Sequence, residues 1–165
     1  MRPILFVMSV FSSTISVAAD PVPVIPAAAI VPAAPTGDLK KWHGFWTADS
    51  IKFDGVDQLA DAKQRARLTL VVKDGEYRMY FASDSDKEKH VRLFTAALAL
   101  DPTAKAFVLT VKEGQKKGEK RHGIYDLEGG KLKICYCPAD KPRPTKFEAA
   151  KGADTFVEVW SPEKR

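Results

Sequence analysis

Arg121-His122-Gly123-Ile124-Tyr125-Asp126-Leu127-Glu128-Gly129-Gly130-Lys131-Leu132-Lys133-Ile134-Cys135-Tyr136-Cys137 is the stretch on which the fold turns. Two runs that alternate with period two flank Gly129-Gly130, a pair suited to a two-residue hairpin turn. Folding about that turn sets Leu127 across from Leu132, Tyr125 from Ile134 and Gly123 from Tyr136. That face is apolar or aromatic and belongs to a core or a barrel interior. The other face carries His122, Ile124 and Asp126 beside Lys133, Cys135 and Cys137. A slip of one residue would exchange the two faces, so a buried face fixes the register.

The same pattern continues on both sides. Upstream, alternating runs cover 43–53, 67–73, 76–82, 91–100 and 105–112, punctuated by Asp54-Gly55, Asp74-Gly75 and Asp101-Pro102. Downstream, a Pro-rich loop with Pro138, Pro142 and Pro144 leads to a last run at 155–160. Eight short strands separated by turn residues predict an all-β chain, an up-and-down antiparallel barrel or a sandwich. Between the first two strands, 56–65 has Leu59, Ala62 and Ala66 at helical spacing and predicts a short helix or a folded loop. With one such segment, α/β architectures are excluded.

The 165 residues divide unevenly. Arg2, an apolar stretch from Ile4 to Val17 and the small residues Val17-Ala18-Ala19 predict a signal peptide over 1–19, an uncleaved membrane anchor being the alternative. Residues 20–36 hold Pro21, Pro23, Pro26, Pro32 and Pro35 among Ala and Val, an extended and semi-rigid linker. Residues 37–165 are the expected barrel domain, exported to the periplasm or secreted, with no transmembrane segment left once the signal is removed. Apolar residues at 45% and charged residues at 28% describe an ordinary globular chain, which excludes global disorder. Cys135 and Cys137 are the only cysteines, so an exported chain of this kind holds together by its core and not by disulfide staples.

Two features point to relatives. Gly44-Phe45-Trp46 on the first strand resembles the Gly-x-Trp signature of lipocalins. In that family the tryptophan plugs one end of an eight-stranded barrel under a basic residue near the chain's end; Trp46 matches the tryptophan, and Arg165 or Arg143 is a loose match for the cover. A longer series is similar to an uncharacterised lipocalin-like domain family found mainly in exported planctomycete proteins. It comprises Leu100-Asp101-Pro102-Thr103, then Gly123 to Gly129, then Leu132 to Tyr136, then Arg143-Pro144-Thr145-Lys146-Phe147. The likeness spans about 41–164. It implies a small β-barrel and brings no substrate, cofactor or catalytic residue. Cys135 fits the family pattern, and Cys137 departs from it.

Chemistry is sparse by comparison. His43, His90 and His122 lie on three different strands, and neither a Gly-x-Ser-x-Gly elbow nor a His-Glu-x-x-His motif occurs. The reading is therefore no enzyme, no catalytic residue and no cofactor. His122 across from Cys137, with Cys135 two residues along, is the one arrangement of soft-metal ligand types. Its bland counterpart is two small half-buried thiols beside a solvated imidazole, and no metal site is assigned. Lys112, Lys116, Lys117, Lys120 and Arg121 cluster about one loop, but Glu113 and Glu119 interrupt them without interleaved aromatics, so no nucleic acid is expected.

What remains is the interior. An eight-stranded barrel has room for its own side chains or for one small ligand. Trp46, Tyr77, Phe81, Tyr125, Tyr136 and Trp160 are the candidate ligand-binding residues, with Phe156 also able to point inward. The expectation is a monomeric barrel that binds a small apolar ligand. The alternative is a solid barrel that serves as an interaction or structural module of the cell envelope, working through loops 113–120 and 138–144 on a protein partner.

Overall fold

The structure, a computed structural model, describes residues 37–59, 61–82, 90–113 and 116–163. The expected signal and linker, the loop at 83–89 and Arg165 lie outside the described residues. Among those described, a short helix α1 (Gly37–Trp42) precedes β1 (Gly44–Phe53) and the two-residue strand β2 (Val56–Asp57). Helix α2 (Ala62–Arg67) follows, then β3 (Leu68–Lys73), β4 (Glu76–Ala82), β5 (His90–Asp101), β6 (Ala106–Glu113), β7 (Lys120–Glu128), β8 (Lys131–Pro138) and β9 (Phe156–Pro162).

All neighbouring strands are antiparallel, and β9 pairs back onto β1, so β1 and β3–β9 close into an eight-stranded up-and-down barrel. Closure leaves these strands without an exposed hydrogen-bonding edge. The hairpin register is the expected one: Leu127 opposes Leu132, Tyr125 opposes Ile134, Gly123 opposes Tyr136, and His122 opposes Cys137. Gly-Gly suits this turn because both Gly129 and Gly130 have positive φ, 60° and 74°.

The folded loop or helix expected over 56–65 holds β2 and, from Ala62 onward, α2. Asp57 Oδ1 accepts from the Leu59 amide, and Asp61 caps α2 by accepting from the Gln64 amide. Leu59 is buried in the core, whereas α2 buries none of its own residues. Helix α1 was not foreseen. At six residues it is too short to stand by propensity, and its stability comes from Trp42, which is wholly buried.

Strand direction separates two ends. The near end carries α1, the β3–β4, β5–β6 and β7–β8 turns and the end of β9. The far end carries the ends of β1, β4, β6 and β8, the starts of β3, β5, β7 and β9, and the long connection over 139–155. Among the described residues no helix is long and apolar enough to cross a membrane.

Candidate functional site

At the near end, Trp42 drops from α1 into the barrel. Its indole meets Tyr125 and Phe107 edge to face, with centroids 5.2 Å and 5.7 Å apart. The Trp46 indole N–H donates to the Trp42 carbonyl at 2.8 Å, which ties β1 to the helix end. Asp38 fastens the other side of α1. It accepts from the Tyr125 hydroxyl at 2.8 Å and pairs with Lys105 at 2.7 Å and Lys41 at 3.1 Å. The Lys105 ammonium, helped by Tyr125 and Lys41, holds the Asp38 carboxyl well below the usual carboxylate range. Trp42, rather than Trp46, is thus the stopper of this end. Arg143 sits near His122 and Cys137 and not over Trp46.

Glu158 lies within the barrel, 1% exposed, and sequence reading overlooked it. The Tyr136 hydroxyl donates to its Oε1 at 2.6 Å; the Tyr77 hydroxyl and the Trp160 indole N–H donate to Oε2 at 2.7 Å and 2.9 Å. Burial raises the Glu158 carboxyl above its ordinary value, against the pull of those three donors and of Arg121. Burial likewise pushes the Tyr77 and Tyr136 phenols well up, so both stay protonated and donate. The missed signal was alternation along Phe156-Val157-Glu158-Val159-Trp160: if Phe156 and Trp160 face inward, Glu158 must.

Gly123 makes room for this cluster. A Cβ there would run into the Cys135 carbonyl, would stand 2.7 Å from the Tyr136 Cβ and 2.9 Å from the Phe107 ring. Phe107 and Tyr136 consequently meet edge to face at 6.1 Å directly beneath it.

At the far end the inward face remains apolar but is only half-buried. Phe53, Phe81, Phe94 and Phe156 all have intermediate exposure there. Phe53 stacks on Phe156 at 4.4 Å, and Phe156 on Tyr136 at 5.2 Å, so one aromatic wall runs from β1 to β8. Across from it, Val91 opposite Phe81 is 51% exposed, and Leu93 in the β5 bulge is 46% exposed. Two guanidiniums lie over the rings: Arg67 is 4.4 Å from the Phe81 centroid, and Arg121 is 5.6 Å from that of Phe156.

All six candidate residues therefore point inward, but they belong to different surroundings. Trp46 and Tyr125 are committed to the near-end seal. Tyr77, Tyr136 and Trp160 are bonded to Glu158. Phe81 alone of the six is half-buried at the far end, where Phe53, Phe94 and Phe156 join it.

Outside the barrel, Cys135 and Cys137 are free thiols buried beneath 139–155, more deeply than their place on the outer face suggested. The Cys137 thiol approaches the Pro142 carbonyl at 3.3 Å, and the His122 Nε2 lies 2.8 Å from the Lys141 carbonyl. Burial pushes the Cys135 thiol up to about 11, the wrong direction for a metal-binding thiolate. Among the described residues no three His, Cys, Asp or Glu side chains converge closely enough to hold an ion. The basic loop residues are spoken for in part: Lys112 pairs with Glu76, and Lys116 and Arg121 share Glu119.

No family model matches this chain, and neither does any curated protein. Among solved structures it is similar to the apo form of lipid binding protein 8 from Caenorhabditis elegans, at 13% identity and a TM-score of 0.36, over 75% of this chain and 96% of that one.

Proposed function

We propose that this barrel binds one small apolar or amphipathic ligand at its far end, and that it does so as a lipocalin-like domain exported from the cell. The observation that carries the reading is the contrast in burial along one inward face. Trp42 and its neighbours fill the near end, whereas Phe53, Phe81, Phe94 and Phe156 stay half-buried at the other. Large aromatic side chains left partly in water at the mouth of a barrel favour an apolar guest, since each square ångström of apolar surface removed from water contributes about 25 cal/mol. The near half offers no such place, because the hydroxyls and indole N–H of its candidate residues are already bonded within the protein.

Uptake of dodecanol by the full chain, followed through tryptophan fluorescence and native mass spectrometry, tests the reading. Saturable binding of one molecule supports it. No bound species, with no displacement of a fluorescent apolar probe, contradicts it. Amino-terminal sequencing of the protein from its own cells tests export, with a new terminus at Asp20 as the expected result.

A second reading follows from the outer surface. The 139–155 connection lies across β8, β9 and β1 and leaves a groove of about 550 Å³ walled by Phe147, Val157, Val159, Lys52 and Lys133. A barrel acting as an envelope module would use that groove for a protein partner. Capture of an envelope protein by the wild-type chain, lost on Phe147→Asp, would favour this reading over ligand binding.

A further inference from the structure

On the outer wall, away from the barrel interior, Thr95 is 4% exposed and its hydroxyl meets no hydrogen-bond partner among the described residues. Strand register places it there. Tyr77 and Ala96 oppose each other with inward side chains, so Arg78 and Thr95, the next opposed pair, face outward. On its other flank Thr95 opposes Glu113 of β6. Two register shifts meet at this point. Leu93 is the extra residue of β5 against β4, and Lys112 is the extra residue of β6 against β5. Bulges re-aim side chains and are over-represented beside functional sites.

The outward neighbours of Thr95 are charged and unevenly matched. Arg78 Nε donates to Glu76 Oε2 at 2.9 Å, and the Lys112 ammonium donates to Oε1 of the same carboxylate at 2.8 Å. The Arg92 guanidinium pairs with Glu113 at 2.8 Å. Three cations thus share two carboxylates. All these pairs reach partly into solvent, where ion pairs are weak. A buried hydroxyl left without an acceptor is costly, and native structures seldom keep one. An anion among Arg78, Arg92 and Lys112 would accept from that hydroxyl and would cancel the surplus positive charge.

We propose that this cluster is an oxyanion site that takes a phosphate group, held by Arg78, Arg92, Lys112 and the Thr95 hydroxyl. Donors arriving from β4, β5 and β6 suit the several oxygens of a tetrahedral anion better than the two of a planar carboxylate. A guanidinium fork takes two of those oxygens, and the ammonium and hydroxyl take the others. Entry requires the exposed ends of Arg92 and Lys112 to turn, not the strands to move. The site owes nothing to the barrel interior, so it stands or falls apart from the ligand-binding reading.

The test is calorimetric titration of the full chain with inorganic phosphate at constant ionic strength, beside flotation with vesicles of phosphatidylglycerol or of phosphatidylcholine. Saturable binding of one phosphate is expected where free phosphate is the source. Preference for phosphatidylglycerol vesicles is expected where a lipid head group supplies it. Thr95→Val keeps the shape and removes the hydroxyl, and it should weaken the binding about tenfold, as loss of one charge-assisted hydrogen bond would. Glu113→Gln should strengthen it severalfold, because Arg92 loses its competing carboxylate. Neither saturable phosphate nor a preference for phosphatidylglycerol overturns the proposal, and this arm needs no variant to fold. Undiminished binding in a folded Thr95→Val also overturns it, as does weaker binding in Glu113→Gln.

Discussion

The two ends of this barrel are built from the same materials and finished differently. Both present aromatic rings inward with cations at the rim. At the near end a helix of six residues inserts Trp42, and every polar group on Asp38 is matched by Tyr125, Lys105 or Lys41. At the far end four phenylalanines stay half-buried, and the cation, Arg121, pairs with Glu119. The lesson is that the number of inward aromatics does not distinguish a plug from a binding surface. What distinguishes them is whether the rings are wholly removed from water: Trp42 is, although its buried indole N–H meets no hydrogen-bond partner among the described residues, and the four far-end phenylalanines are not.

The contrast breaks most sharply at Trp42. Trp42→Ala removes a fully buried indole from a filled end, and a loss of about 3–5 kcal/mol in urea unfolding is expected. Phe156→Ala should cost about 1 kcal/mol, because only part of that ring leaves water on folding, yet it should weaken dodecanol binding severalfold. A variant pair with the stability costs reversed would mean that the far end, not the near one, is the solid half.

Gly123→Ala belongs between those two in effect. The added methyl must displace the Tyr136 or Phe107 side chain or the backbone of Cys135, and overpacking of this kind costs about 1–3 kcal/mol. Near-ultraviolet circular dichroism should also change, since the Tyr136 and Phe107 side chains lie directly against the added methyl.

Acid and base separate the two regions by sign. Asp38 has a lowered folded-state pKa, so its contribution is present at neutral pH and is lost as pH falls through and below the ordinary carboxylate range. Glu158 has a raised one, so its contribution is fully present below the unfolded value and is lost as pH rises through the folded value. Asp38→Asn should flatten the acid side of the stability profile, and Glu158→Gln should remove the decline on rising pH. Chemical denaturation measured across pH for the three proteins checks both slopes.

The smallest expected effect lies outside the barrel. Cys135 and Cys137 are buried beneath the 139–155 connection with thiol pKa values raised by that burial, so both remain protonated at neutral pH. Labelling by a thiol reagent at neutral pH should be negligible in the native protein and complete on unfolding. Cys137→Ala should change stability by less than about 1 kcal/mol.

Much of this architecture was legible because strands announce themselves twice, by alternation and by their turns. Gly129-Gly130 fixed one hairpin, and from that register the inward set of β7 and β8 followed residue by residue. Helix α1 was not legible, because a segment of six residues shows less than two turns of periodicity and owes its existence to where Trp42 is buried. Glu158 was hidden for another reason. A charged residue in a strand is ordinarily read as solvent-facing, and only Tyr77, Tyr136 and Trp160, from three strands, make its burial tolerable. The division of the interior into a filled half and a half-buried half depends on packed volume, which a period-two pattern does not encode.

The most direct test of the central claim is a pair of aromatic-resonance spectra of the full chain, recorded with and without dodecanol. The account predicts shifts confined to Phe53, Phe81, Phe94, Phe156 and their contacts, with the Trp42, Trp46 and Tyr125 resonances unmoved. Shifts centred on Trp42 and Tyr125, or a dodecanol-saturated spectrum identical to the free one, would contradict it.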